Sequence, residues 1–141
     1  WVAKGKEVRL RVGTKALKAM KERVRQITAR SGGHSLRQIA QELKVYLPGW
    51  KEYFRMAQTP GIFAQLDEWL GHRLRAVRLK QWKRGKTVYR ELRKLGVGSY
   101  AAASVAASAR SWWRMSETSA LNVALPNAYF AELGVPRLAV R

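Results

Sequence analysis

The chemistry that this sequence offers most clearly is cationic. Between Arg73 and Lys94, ten Lys or Arg residues occur against one acid, Glu91, which gives a local net charge of +9. Two aromatic residues, Trp82 and Tyr89, lie among these charges. Such a density of positive charge repels itself unless a polyanion neutralises it, and flat rings between cations suit stacked bases. The segment therefore predicts a nucleic-acid-binding surface, the alternative being an ordinary solvated helix face.

The composition of the whole chain agrees with that segment. Of the 141 residues, 28 are Lys or Arg and 9 are Asp or Glu, so the formal net charge is +19. A hydrophobic fraction of 47% with six Trp predicts a folded chain, because disordered basic tails are poor in both. There is no Cys, which excludes disulfides and cysteine-based zinc sites. The two His residues, His34 and His72, are far apart and predict no metal site.

Catalytic motifs are not evident in the sequence. Asp67 and Glu68 are the only adjacent carboxylates, and neighbours on a helix point about 100° apart, so these two cannot clamp a metal pair. No nucleophile has a local base, and the glycines are better explained as helix stops than as a phosphate-binding loop. We therefore predict no catalytic residues, although an active site assembled from distant residues stays open.

Helical periodicity predicts the elements that carry these charges. From Thr14, as N-cap, apolar residues recur at helical spacing through Ile27. A capping-box pattern at Ser35–Gln38 begins a second helix, in which Pro48 predicts a kink or a break. A third helix over residues 60–84 is apolar on two sides, which predicts that helices pack against both.

The two ends of the chain are predicted to differ from this central part. Alternating apolar and charged residues over 8–12 predict a short extended segment, which would need a partner strand to be stable. Short helices are expected over 87–95, 99–109, 119–125 and 127–133, with a loop at 112–114. The expected fold class is all-α, with that short N-terminal extended segment.

The sequence also bears on location. No apolar run approaches the roughly 18–20 residues of a membrane span, and no signal-peptide pattern opens the chain, so we expect an intracellular protein. The first residue is Trp1 rather than Met, from which we expect a piece of a longer protein.

Several short motifs follow one another in a fixed order along most of the chain. They are YLPGWKEYFR at 46–55, LDEW at 66–69, LKQWKR at 79–84, WRMS at 113–116, NAYF at 127–130 and GVP at 134–136. Their order and spacing resemble the maturase-specific region of group II intron-encoded reverse transcriptases. Two positions depart from that pattern, since Pro48 replaces a commoner basic residue and Trp112 precedes Trp113 where a small or Gly-Pro lead is usual.

The resemblance implies an architecture and a set of partners. Residues 14–84 would form the three-helix thumb, residues 85–141 a smaller helical nucleic-acid-binding subdomain, and residues 1–13 the link from an upstream polymerase domain. The implied ligands are group II intron RNA and target DNA or an RNA–DNA duplex, bound to assist splicing and mobility. The Tyr-x-Asp-Asp polymerase motif is absent from this chain. The resemblance implies that Mg²⁺ serves the polymerase domain and the intron RNA. Because this chain lacks the motif, we expect it to bind no cofactor. A bacterial cytoplasmic location, nucleoid-associated when bound to DNA, is implied as well.

The predicted contacts to nucleic acid are basic side chains with one aromatic ring. Those in and after the third helix are Arg73, Arg75, Arg78, Lys80, Lys83, Arg84, Lys86 and Arg90. Those in the thumb are Lys15, Lys18, Arg23, Tyr53 and Arg55. Trp50, Phe54, Phe63 and Trp69 fall on the apolar stripe and are expected in the core, while Trp82 is expected between the two subdomains.

Three other functions stay open at this stage. The chain could be a non-specific basic clamp on template–primer duplex, or a general DNA- or RNA-binding module without intron specificity. It could be the thumb of an active reverse transcriptase. A binder of membrane surfaces or acidic proteins is disfavoured, because the basic helices are expected to bury their apolar faces internally.

Overall fold

The computed structural model describes residues 2–29, 35–54, 60–136 and 138, and within them the side chains of residues 15–29, 35–52, 63–136 and 138. These residues form eight helices and no strand, so the all-α class is confirmed for the described part of the chain. The helices are α1 (Val2–Ala29), α2 (Leu36–Phe54), α3 (Pro60–Trp82), α4 (Gly85–Lys94), α5 (Ser99–Ala107), α6 (Trp112–Met115), α7 (Ser119–Ala124) and α8 (Asn127–Glu132).

Helix α1 occupies the stretch for which alternation predicted an extended segment. It begins at Val2 and passes through residues 8–12 and through Thr14, which is therefore not an N-cap. Three of the five residues in the alternating stretch, Arg9, Leu10 and Arg11, are of types that form helices well. A helix also satisfies its own backbone hydrogen bonds, whereas a lone strand has no partner.

Helix α2 begins with the capping box that the sequence predicts. The backbone N–H of Ser35 donates to Gln38 Oε1 at 2.8 Å, and the N–H of Gln38 donates to Ser35 Oγ at 3.1 Å. The sequence predicted a kink or a break at Pro48, and the helix continues through Pro48 without a break. Pro48 and Lys44 both lie on the exposed side of α2, so the Lys44 carbonyl that Pro48 cannot pair with has access to solvent.

The first part of the core lies between α1, α2 and one side of α3. Each helix contributes three apolar residues that are at most 5% exposed. They are Met20, Val24 and Ile27 on α1, Ile39, Leu43 and Leu47 on α2, and Leu66, Leu70 and Leu74 on α3. Trp50 and Phe63 meet edge to face at its border, with ring centroids 5.9 Å apart. Trp50 is buried, Phe63 and Trp69 are partly buried against this core, and the Phe54 side chain lies outside the described residues.

The other side of α3 packs against the C-terminal helices. Leu79 on α3 is 1% exposed and belongs to the same core as Val88 and Leu92 of α4 and Leu121 of α7. Helix α3 thus contacts α1 and α2 as well as α4, α6 and α8. The prediction that helices pack against both apolar sides of α3 is therefore confirmed.

Two close approaches set the geometry of the C-terminal half. A Cβ on Gly85 would lie 2.6 Å from the carbonyl oxygen of Ala106, so α4 and α5 can meet this closely only at a glycine. The carboxylate of Asp67 accepts the backbone N–H of Leu138 at 2.8 Å and holds residue 138 against α3. None of the described helices is long and apolar enough to cross a membrane.

Candidate nucleic-acid interface

The cations of the basic segment fall into two groups with different surroundings. Arg75 is 6% exposed on α3, where its Nε donates to the carbonyl oxygen of Leu125 at 2.8 Å and its Nη2 donates to Asn127 Oδ1 at 3.1 Å. Burial lowers the pKa of Arg75. Both acceptors are uncharged groups of the C-terminal helices, so Arg75 links α3 to them, and its burial argues against direct contact with nucleic acid.

Arg73 and Arg78 also make bonds inside the protein. Arg73 Nε donates to Thr28 Oγ1 of α1 at 2.9 Å. The pKa of Arg73 is lowered mainly by burial and also by the nearby positive charge of Arg25. Arg78 Nη2 donates to the hydroxyl of Tyr129 on α8 at 2.8 Å. The two side chains are half-buried, so each retains surface for a ligand while it joins two helices.

The remaining cations of the segment are exposed. Over residues 80–94, seven Lys or Arg side chains face solvent and one acid, Glu91, is partly buried, which leaves a net charge of +6. The seven are Lys80, Lys83, Arg84, Lys86, Arg90, Arg93 and Lys94. Lys83 lies between α3 and α4 with φ +62°, a conformation that side-chain-bearing residues adopt rarely. The turn at Lys83 and Arg84 connects the cations of α3 to those of α4.

Helix α4 presents one cationic face and one apolar face. Val88 and Leu92 are fully buried against the core, while an open groove on the other side is lined by Lys86, Tyr89, Arg90, Arg93 and Lys94. These five residues recur every three to four positions, so they lie along one helix face about 12 Å long. The Tyr89 ring is 37% exposed in the middle of this face.

Few of these charges are neutralised by the protein. Glu91 Oε2 lies 3.4 Å from Lys94 Nζ and 3.9 Å from Arg90 Nε, while Arg93 donates to the carbonyl oxygen of Val97 at 3.0 Å. Pairs this exposed contribute little to stability. A face of fixed cations around an exposed ring is suited to a phosphate backbone.

A second cluster surrounds Trp69 on α3. Lys21 Nζ, Arg25 Cζ and Arg73 Cζ lie 5.4, 5.6 and 5.7 Å from the centroid of its ring. Arg73 also lies 5.9 Å from the centroid of Trp113 on α6. The structure therefore brings the predicted Arg73 together with two cations of α1 and with a second tryptophan.

The contacts predicted in the thumb are placed only in part. Lys15, Lys18 and Arg23 are exposed on α1, and Arg23 Nη1 donates to Gln26 Oε1 at 3.3 Å. The Tyr53 side chain and all of Arg55 lie outside the described residues. Their contact with nucleic acid stays a prediction.

Several residues of the two clusters were missed from the sequence. Tyr89, Arg93 and Lys94 share the helical spacing of Lys86 and Arg90, and that periodicity could have identified the complete face. Lys21 and Arg25 stand four apart on α1, but only the folded structure shows that Trp69 lies against them. Among the described residues, no three His, Asp or Glu side chains are grouped so that they could hold a metal ion.

The stretch that contains both clusters matches a known family. Residues 17–96 match the maturase-specific domain of group II introns. A search of curated proteins found no match to the chain. The matched residues are more than half of the chain, and they include the described side chains of α2 and α3, the α4 face and the cations around Trp69. The chain therefore belongs to the group II intron maturase-specific domain family.

Proposed function

We propose that this chain binds folded group II intron RNA and stabilises its active fold, and that it thereby assists splicing and mobility of the intron. The observation that carries the proposal is the exposed cationic surface of residues 80–94, which has a net charge of +6 and lies within the family match. The intron RNA is the catalyst in this proposal. The protein contributes binding energy to the folded form.

The physical basis is electrostatic. A compact RNA brings its phosphates close together, and Lys and Arg side chains that offset their repulsion favour the compact form. Of the seven exposed cations, five stand on α3 and α4, whose apolar residues are buried, and two stand in the turn that joins these helices, so the backbone that carries them is in place before the RNA binds. A preorganised surface loses less entropy on binding than a flexible basic tail would.

The proposal extends to further partners implied by the family. Phosphate contacts position a protein without specifying sequence, so the same surface is suited to target DNA or an RNA–DNA duplex. We place the chain as the thumb and following subdomain of a reverse transcriptase, with the polymerase domain upstream and Mg²⁺ serving that domain and the intron. Its location would be the bacterial cytoplasm, with association with the nucleoid during DNA binding.

The test is binding of the chain to a folded group II intron RNA across a salt series, with unrelated structured RNA and duplex DNA as competitors. The slope of log K against log salt is expected to be about −0.7 to −0.9 for each phosphate contacted. A preference of about a hundredfold for the intron RNA, retained at roughly 0.2–0.5 M salt where non-specific contacts weaken, supports the proposal. Equal competition by all three ligands would identify a non-specific electrostatic clamp.

A further inference from the structure

Two neighbouring tryptophans on the short helix α6 are exposed. Trp112 is 38% and Trp113 is 40% exposed, although tryptophan is highly buried on average. They follow the matched residues 17–96, and the family match assigns them no role. Exposed rings of this size on a surface indicate a binding partner when their surroundings hold them in place.

The backbone of α6 is held against α3 at this point. The carbonyl oxygen of Trp113 accepts from His72 Nε2 at 2.8 Å and from Ser116 Oγ at 2.7 Å. The His72 ring stacks on the Trp113 ring, with centroids 3.6 Å apart and planes 20° from parallel. Ser116 is fully buried. The backbone that carries the two indole rings is therefore fixed, and His72 covers one face of the Trp113 ring. A ligand meets the exposed surface of the two rings already positioned.

A cation lies over each of the two rings. Lys80 Nζ lies 5.1 Å from the centroid of the Trp112 ring, and Arg73 Cζ lies 5.9 Å from that of Trp113. Arg114 is exposed on the same helix. One acid stands nearby, since Glu117 Oε1 is 3.7 Å from His72 Nδ1. Three cations against one carboxylate favour an anionic ligand.

We infer that Trp112 and Trp113 form a stacking platform for unpaired nucleotides, with Lys80 and Arg73 placed to bind the adjoining phosphates. A ligand for this surface must combine a flat apolar group with negative charge, and a nucleotide does so. Bases in a duplex are stacked on each other, so the ligand is a single-stranded segment or loop of RNA or DNA. This inference rests on the proposed function for its ligand class, and it adds the location at which unpaired bases bind.

The experiment compares Trp112→Ala with Trp112→Phe, which keeps a ring, and with Tyr100→Ala as the matched control. Tyr100 is an aromatic residue on α5 that is 88% exposed. The probe is an unstructured RNA of about 12 nucleotides, within the site sizes of single-strand binders, and its affinity is measured by fluorescence anisotropy. A strand of the same length without bases and the duplex with the complementary strand serve as reference ligands. Thermal melting of each variant checks the fold.

The expected result is selective. Trp112→Ala weakens single-strand binding by about five- to a hundredfold, the value of one base–aromatic stack, and leaves duplex and baseless-strand binding within about twofold. Trp112→Phe keeps most of the affinity, and Tyr100→Ala changes nothing. A 2-aminopurine placed in the strand is quenched on binding to the unaltered protein, which reports stacking without any substitution.

Other outcomes would overturn the inference. An equal loss for single strand and duplex, or no loss for either, would remove any role in stacking while leaving the proposed function intact. A need for Trp112 only in binding to anionic phospholipid vesicles would assign the rings to a membrane surface. If the unaltered chain bound the folded intron RNA but not the single strand, this inference would fail and the proposed function would stand. If it bound neither, both would fail together.

Discussion

Arg75 on α3 donates its Nε hydrogen to the carbonyl oxygen of Leu125, 2.8 Å away, and so joins the central helix to the C-terminal helices across fifty residues of sequence. Its Nη2 reaches Asn127 at the start of α8. A guanidinium buried in this way acts as a structural link, although in the sequence it belongs to the same basic run as the exposed cations. Burial thus divides one charge pattern into two roles.

The role of Arg75 leads to a stability prediction. We expect Arg75→Ala to lower the free energy of unfolding by about 1–3 kcal/mol, because the Leu125 carbonyl then loses its buried donor. Chemical denaturation measures the change, and Lys80→Ala, which removes an exposed charge from the same helix, is the control. An Arg75→Ala protein that unfolds normally but has lost RNA binding would contradict the structural role.

The exposed face of α4 leads to the opposite expectation. Replacing Lys86 and Arg90 by Gln should leave the melting temperature unchanged, because both side chains are exposed and the ion pair of Arg90 with Glu91, at 3.9 Å, is a weak surface pair. It should make the slope of log K against log salt shallower by roughly 1.4–1.8 if each residue contacts one phosphate. A salt series with the intron RNA measures this change.

The matched control for that face is the exposed Lys44 on α2. Lys86→Gln and Lys44→Gln change the net charge by the same amount on two different helices. A clearly larger loss of affinity for Lys86→Gln locates binding on α4. If both variants lose the same affinity, the RNA responds to overall charge and the α4 face has no special role.

Local patterns in the sequence were the ones that predicted structure well. The reciprocal hydrogen bonds of Ser35 and Gln38 depend on residues three apart, so the capping box could be identified without knowing the fold. The apolar residues on two sides of α3 likewise predicted its two-sided packing. The alternation over residues 8–12 led to a wrong prediction, since these residues lie in α1. Alternation over only five residues is weak evidence for a strand when no partner strand is available.

The candidate site depended on contacts that are distant in sequence. Lys86 and Arg90 were predicted as contacts because they belong to the basic run. Nothing local separates them from Arg75, which belongs to the same run and whose acceptor Leu125 lies fifty residues away. Trp113 was predicted in a loop without a role. Its stack on His72, forty-one residues before it, arises only when α6 packs on α3. Packing between residues that are distant in sequence decides which cations remain exposed, and no local sequence pattern shows which ones these are.

The contact of α4 with α5 at Gly85 gives a second stability prediction. Alanine normally favours a helix over glycine by about 1 kcal/mol. At Gly85 the added Cβ would lie 2.6 Å from the Ala106 carbonyl oxygen, a backbone atom that can move only with its helix. We expect Gly85→Ala to destabilise the protein by about 1–3 kcal/mol, since overpacking outweighs propensity. Gly49→Ala on α2, where the Cβ meets nothing within 4 Å, is the control. Equal unfolding free energies for the two variants would show that α4 and α5 pack less closely than the structure has them.

The turn between α3 and α4 allows binding and stability to be separated at adjacent positions. Trp82 is partly buried against the core, whereas Lys83 is exposed with φ +62°. We expect Trp82→Ala to lower the melting temperature, because the ring loses its packing. Lys83→Ala should leave the melting temperature unchanged and weaken RNA binding, since it removes an exposed charge and retains a side chain in the same backbone conformation.

Lys83→Gly completes this comparison. Glycine adopts positive φ without the steric cost of a Cβ, so this variant should be more stable than Lys83→Ala by about 1 kcal/mol. Both variants lack the same charge, and we expect them to lose the same RNA affinity at each salt concentration. Denaturation and anisotropy on the three variants provide the two measurements. If RNA affinity followed stability across the three proteins, Lys83 would act through the turn that it forms. If affinity instead followed charge, with Trp82→Ala binding normally below its melting temperature, the Lys83 ammonium would be a direct contact to phosphate.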